Sequence, residues 1–299
     1  MAINLRDLEY LVAVEEERHF HRAAERCFVS QPTLSGQLKK LEERLGVQLI
    51  ERSTRQVVMT DAGKAVVAQA RQVLADARGI AEIAQSFHDP MAGELQLGLI
   101  PTVAPYLLPL IMSPIKKAFP RLKLWLHEQQ TATLLERLRH AELDFVIIAL
   151  PVAATGDFVE IELFREPFWL ALPKDDPLAK RNEASLTDLN QREVMLLEEG
   201  HCLREHALDV CFSAGASELG AFHATSLETL RHMVGEGMGI TLIPELAVPK
   251  RRTRQDPVHY LPFGAPPPSR RIGLLYRKES YREETFRALA ETICQSVVI

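Results

Sequence analysis

Ser30-Gln31-Pro32-Thr33-Leu34-Ser35-Gly36-Gln37-Leu38-Lys39-Lys40-Leu41-Glu42-Glu43-Arg44-Leu45 is the stretch on which the fold of the N-terminal third turns. Leu34, Leu38, Leu41 and Leu45 fall at i, i+4, i+7 and i+11, one apolar stripe of a helix. Ser30 is a good N-cap, and Pro32 is tolerated in the first turn that follows. At 100° per residue the opposite face carries Pro32, Ser35, Gly36, Lys39 and Lys40, small residues for close approach and cations for phosphates. Gln31, Ser35 and Gln37 can hydrogen-bond to base edges. Taken alone, the same helix could be an ordinary solvated face.

Working outward, Leu5, Leu8, Leu11 and Val12 predict an amphipathic helix to about Glu17, and a second short helix is expected from about His21 to Phe28. Two β-prone runs follow the quoted stretch, Gln48 to Arg52 and Gln56 to Thr60, with Ser53-Thr54-Arg55 as the turn. A helix-turn-helix plus a basic hairpin is a winged helix, with Arg52 and Arg55 placed to reach phosphate or the minor groove. The net charge of the chain is −5, which does not suggest a nucleic-acid binder. Between Arg22 and Arg55, however, seven basic residues face four acidic ones, 7 − 4 = +3. A local basic patch is what phosphate contact requires.

Thr60 is placed to cap a long helix running to about Phe87. Val66, Ala70, Val73, Ala77, Ile80, Ala84 and Phe87 alternate steps of four and three, the spacing of a coiled coil. That spacing implies a second chain, hence a dimer, although a single helix packed on its own domain could also show it. His88 to Gly93 reads as a hinge. Beyond Glu94, strands and helices alternate to the end of the chain, which predicts an α/β fold with parallel-rich sheets. Ligands in such folds bind beyond the carboxyl ends of strands. Thr102 and Thr131 follow two of the expected strands, so both hydroxyls could face one crevice.

Within that region lies Gly200-His201-Cys202-Leu203-Arg204-Glu205-His206-Ala207-Leu208-Asp209-Val210-Cys211. His201, Arg204 and His206 surround the first cysteine in sequence, and a thiol among cations or donors is more readily the reactive thiolate. Ala207, Leu208 and Cys211 share one face if the segment is helical, which suggests a buried and inert second thiol. Two small core cysteines would be the plain alternative. The charges in Met1 to Glu9 do not suit a signal peptide, and no apolar run is long enough to span a bilayer. The expected location is cytoplasmic, where a disulfide is more often transient than structural. The four cysteines do not have the paired spacing of a zinc site.

Phe28 to Gly46, Glu51 to Arg55 and Thr60-Asp61-Ala62-Gly63 resemble the DNA-binding head of LysR-type transcriptional regulators. The resemblance covers roughly residues 3–63 and implies that Gln31, Pro32, Ser35, Arg52 and Arg55 face double-stranded promoter DNA, with Lys39 beside them. Leu99 to Pro109, Glu199 to Arg204, Ala224 to Arg231 and Ile240 to Pro244 are similar to the peroxide-sensing members of that family. This implies a winged helix-turn-helix over 1–60, a linker helix and hinge over 61–91, and a regulatory domain over 92–299. Its two lobes, like those of a periplasmic binding protein, would be 92–165 with 270–299, and 166–269.

The same resemblance implies that Cys202 reacts with hydrogen peroxide and that Cys211 resolves the product as a reversible disulfide. Thr102, Thr131, His201 and Arg270 would form the pocket. It further implies an activator of antioxidant genes that works with RNA polymerase, without cofactor or metal, as a homodimer through the linker helix and a homotetramer. Glu205 stands where these relatives often have Asp. Cys27 and Cys294 are expected to pack. If 203–211 is helical, nine residues rise ~13 Å, whereas a disulfide needs Cα atoms within about 7 Å, so closing the bond would require unwinding. Two other functions fit less of the chain: a LysR-type regulator of a small organic effector bound between the lobes, and a thiol peroxidase, which would leave the DNA-binding head unexplained.

Overall fold

The computed structural model describes residues 3–52, 57–86, 91–152, 155–250 and 256–297, apart from the side chains of 52, 81–86, 155 and 221–223. Two units separate, Met1–His88 with Arg139–Glu142, and Asp89–Leu138 with Leu143–Ile299.

The first unit contains α1 (Leu5–Glu17), α2 (Phe20–Arg26), α3 (Gln31–Leu45), β1 (Ile50–Arg52), β2 (Val57–Met59) and α4 (Asp61–Ser86). Ser30 caps α3 by accepting from the Thr33 N–H, and Gly46, at φ 71°, ends it. The leucine stripe is the core: Leu34, Leu38 and Leu41 are fully buried against Leu11, Val14, Leu49 and Ile50. Each such leucine contributes about 1.5–3 kcal/mol. The antiparallel wing pairs Ile50 with Met59 and Arg52 with Val57. Its turn, with Arg55, lies outside the described residues. Thr60 caps α4 by accepting from Gly63 N at 2.9 Å. Gly63 is needed because a Cβ there would collide with the Leu49 carbonyl. Along α4 Ala70 is buried, but Val73 is 36% and Ile80 71% exposed, so the apolar stripe is uncovered further along.

The second unit has two cores. The first lobe contains β3 (Gly93–Leu99), α5 (Ala104–Ala118), β4 (Leu122–Glu128), α6 (Thr131–Arg139) and β5 (Phe145–Leu150). The chain then runs through β6 (Phe158–Pro173) into the second lobe, which holds β7 (Glu193–Leu197), α7 (Cys202–Ser213), β8 (Ser217–Ala224), α8 (Leu227–Gly235), β9 (Thr241–Pro244) and β10 (Val258–Pro262). It returns through β11 (Ser269–Arg277) to α9 (Glu283–Ser296) on the first lobe. Among the ladders between described strands, β5–β3–β4 and β7–β8 are parallel. The remaining ladders, including β11 with β5 and β6, are antiparallel, because the outgoing and returning crossings run in opposite directions. The sheet is therefore mixed rather than parallel-rich. Helix α6 ends at Arg139, and Ala141 follows at φ 54°.

Candidate redox site and nucleic-acid interface

The turn into α7 brings the second lobe against the first. Gly200 has φ 93°, and a Cβ there would lie 2.7 Å from the Gln130 side-chain oxygen, just ahead of α6. Only glycine suits both constraints. His201 is the N-cap residue and Cys202 opens the helix. The half-buried Cys202 side chain packs against the core of the first lobe, although α7 belongs to the second. Cys211 is 2% exposed in the second-lobe core with Leu203 and Ala207. Both cysteines are free thiols, and they occupy the two ends of one continuous helix. Burial pushes the Cys211 thiol up to about 12, which makes it inert at neutral pH as the sequence suggested.

The cations expected around Cys202 from sequence are otherwise engaged. Arg204 donates to Glu218 Oε2 at 2.8 Å and to the Leu197 carbonyl at 3.1 Å. Burial pushes His201 below its ordinary pKa, and burial followed by the Arg270 charge does the same to His206, so both rings are neutral at pH 7. Cys202 stands instead at the N-terminus of α7, the positive end of the helix dipole; of the first-turn N–H groups, that of Arg204 already donates to the His201 carbonyl at 2.9 Å. That feature was legible only once α7 was known to begin at Cys202.

Arg270 is fully buried at the start of β11. Its Nη1 donates to Thr102 Oγ1 at 3.0 Å, and Nη2 donates to the Thr102 carbonyl at 2.9 Å. Two of the expected pocket residues, 168 positions apart, are thus directly bonded. The partner missed from sequence is Glu166, which accepts from Arg270 Nε at 2.8 Å and is itself 0% exposed. A charged residue beside the expected crossing near 165 was the available signal. Thr131, the first residue of α6, has a buried hydroxyl with no hydrogen-bond partner. His206 Nδ1 is in the same condition. Tyr106 on α5 donates to Glu228 Oε1 on α8 at 2.9 Å, a second link between the lobes. Thr102, Arg270 and Glu166 form one cluster; Thr131 and His201 are bonded to none of them.

Cys294 departs from its expected packing role. It is exposed, and its thiol donates to the Leu163 carbonyl at 3.1 Å. Cys27 does pack, against the first-unit core. Among the described residues there is no cluster of three or more His, Cys, Asp or Glu side chains able to hold a metal.

In the first unit, Gln31, Pro32 and Lys39 are exposed on α3 and Ser35 is half-buried. Lys39 lies 4.0 Å from Glu43. The local basic count overstates the free charge. Arg44 pairs with buried Asp7 at 3.0 Å, Arg26 pairs with Glu16, and Arg22 donates to the Glu17 carbonyl at 2.7 Å. Acidic residues of α1 thus engage three of the counted cations, and Lys39 and Lys40 on α3 are exposed. The Arg52 side chain and all of Arg55 lie outside the described residues.

The family described as LysR substrate binding domain matches residues 88–297, and that described as bacterial regulatory helix-turn-helix protein, lysR family, matches residues 5–64. The chain belongs to the LysR family. It is a LysR-type transcriptional regulator with a DNA-binding head. It is 52% identical over 291 residues to the DNA-binding transcriptional dual regulator OxyR of Escherichia coli K12, covering 97% of this chain and 95% of that protein. A cysteine-to-aspartate variant of full-length OxyR from Pseudomonas aeruginosa superposes with TM-score 0.79 at 38% identity, covering 99% of both chains. A cysteine-to-serine variant of OxyR from Corynebacterium glutamicum, bound to H2O2, gives TM-score 0.68 at 36% identity, covering 99% of this chain and 93% of that one. This LysR-type chain therefore shares both the two-lobed regulatory fold and its attachment to a winged head with these proteins. Among its described residues no helix is long and apolar enough to cross a membrane.

Proposed function

We propose that this LysR-type regulator senses hydrogen peroxide through Cys202 and passes the signal to promoter DNA by forming a reversible bond to Cys211. The observation that carries this reading is the division of one helix between two environments. Cys202, at the N-terminus of α7, contacts the other lobe, while Cys211, at the far end, is a core residue of its own. The Cys202 thiolate attacks one peroxide oxygen to give a sulfenic acid, and Cys211 condenses with it to a disulfide and water. Thr102 and Thr131 carry hydroxyls able both to donate and to accept, which suits them to hold HOOH, and the buried Arg270 guanidinium supplies a fixed positive charge for the leaving hydroxide.

Closing the bond requires α7 to unwind, a local order change able to repack an interface. In this reading the head binds its operator through Gln31, Pro32, Ser35, Lys39, Arg52 and Arg55. The uncovered stripe on α4 pairs with a second chain, the dimers assemble into a tetramer, and oxidation re-angles the heads to favour RNA polymerase at antioxidant promoters. The protein acts in the cytoplasm and does not turn over peroxide as an enzyme. DNA footprinting of reduced and peroxide-treated protein, with Cys202→Ser beside the parent, is the test. The footprint should change on oxidation in the parent only. An equal change in Cys202→Ser, or none in either, would end the proposal.

A further inference from the structure

Glu166 is a buried charge that the chemistry above does not use. Its side chain and that of Arg270 are both 0% exposed. Oε2 accepts from Arg270 Nε at 2.8 Å and lies 2.8 Å from Nη2. Oε1 accepts from the Leu246 N–H at 2.9 Å. Glu166 and Arg270 are also cross-strand partners on β6 and β11. Two residues further along, Phe168 N donates to the Pro268 carbonyl, and from there β6 pairs with β9 and β10 of the second lobe. Leu246 lies in the turn after β9, and its side chain packs against the first-lobe core. One carboxylate therefore joins the crossing strand, the returning strand and a turn of the second lobe.

A guanidinium is a rigid, planar set of donors. Nη2, which faces Glu166, also donates to the Thr102 carbonyl, and Nη1 donates to Thr102 Oγ1. Glu166 therefore fixes the direction in which Arg270 points. Buried charges of this kind persist only when well paired, and this pairing falls where the two lobes meet.

We propose that Glu166 is a positioning residue for the oxidation of Cys202, holding the Arg270 guanidinium on Thr102 and linking that aim to the seating of the second-lobe turn at Leu246. The inference rests on the peroxide reading above. In the step concerned, the Cys202 thiolate attacks one oxygen of HOOH. The S–O bond forms and the O–O bond breaks; sulfur gives up two electrons, and the departing hydroxide takes a proton to become water. A guanidinium held in place donates to that developing hydroxide with no reorganisation, whereas a released one must first be brought back.

The test compares two reactions of the same thiol in the full chain. Oxidation by H2O2 needs the positioned donor; alkylation by iodoacetamide does not. Glu166→Gln should slow oxidation about tenfold or more, as loss of a preorganised donor does, while alkylation of Cys202 stays at the parent rate. Glu166→Asp, which keeps the charge one methylene back, should recover part of the oxidation rate. Oxidation of Glu166→Gln at the parent rate would overturn the proposal, and so would a parallel fall in both reactions, the mark of a purely structural role. If Glu166→Gln does not fold, Glu166→Asp decides by the same ratio, with selective slowing of oxidation in support and unchanged or parallel rates against. A parent that does not react with peroxide at all would instead remove the functional reading on which this inference stands.

Discussion

Treating the reduced protein with peroxide should open α7, and the size of the effect follows from the helix. Cys202 and Cys211 stand nine residues apart in one unbroken helix. At 1.5 Å per residue their Cα atoms are ~13 Å apart, and a disulfide tolerates about 7 Å at most. A helix cannot shorten by ~6 Å and remain a helix. Unwinding removes Cys211, Leu203 and Ala207 from a core in which each is 2% exposed. Losing one buried leucine alone costs about 1.5–3 kcal/mol. A local loss of ~3 kcal/mol lowers amide protection by roughly a hundredfold, since about 1.4 kcal/mol is a factor of ten. The assay is hydrogen exchange read by mass spectrometry on the full chain, reduced and oxidised, with non-reducing peptide mapping of the bond. Amides between 203 and 212 should lose protection, while those of β5, Phe145–Leu150, keep theirs. Equal protection of 203–212 in both states, or a disulfide joining two chains, would refute the unwinding.

Three other outcomes are expected. Thr102→Val and Thr131→Val should both slow peroxide oxidation of Cys202 in stopped-flow measurements. Only Thr102→Val should also lower stability, by about 1–3 kcal/mol, because it strands a buried Arg270 donor whereas the Thr131 hydroxyl has no partner to lose; parent-like rates in both variants would make these residues merely structural. Ser35→Ala should weaken operator binding in mobility-shift assays without changing thiol oxidation, and affinity should fall steeply with salt as phosphate contacts release counterions; unchanged affinity would remove Ser35 from the interface. Reduced protein should lose stability in alkali through Cys211, whose folded value is raised to about 12 from 9.0. The unfolded thiol ionises first and binds fewer protons, so this contribution is intact below about pH 9 and lost between there and about pH 12, by up to ~1.4 kcal/mol per unit. The stability difference between parent and Cys211→Ala should shrink from pH 8 to pH 10 in urea titrations, and a difference that does not move would contradict it.

Local sequence carried the head well, since the Ser30 and Thr60 caps act through neighbours within a turn and the leucine stripe declares its buried face by its spacing. It also carried the buried nature of Cys211, because Ala207, Leu208 and Cys211 declare a face. Two kinds of feature escaped. The first half of β6, Phe158 to Pro167, escaped even though Glu160 and Glu162 alternate with Ile161 and Leu163 as in a half-buried strand, because its pairing partner β11 is distant in sequence. Strands β8 and β10 escaped because polar residues interrupt their apolar runs. Glu166 escaped for another reason: its partner lies 104 positions away, and no local pattern marks a carboxylate for burial. The charge count around the head erred in the same direction, because Asp7 and Glu16, outside the counted stretch, engage two of its arginines.

Strand β6 also constrains how the regulatory region can move. Its sixteen residues run from the ladder with β11, which has one register shift at Leu163, into the ladders with β9 and β10. A loop at that crossing would act like a door hinge, letting the lobes swing wide at little cost. A strand hydrogen-bonded along most of its length acts like a torsion bar: it yields to twist, but bending it sharply would break rungs of the ladder. The regulatory region is thus poorly built to gape around a bulky guest. It is better built to pass a twist from one lobe to the other.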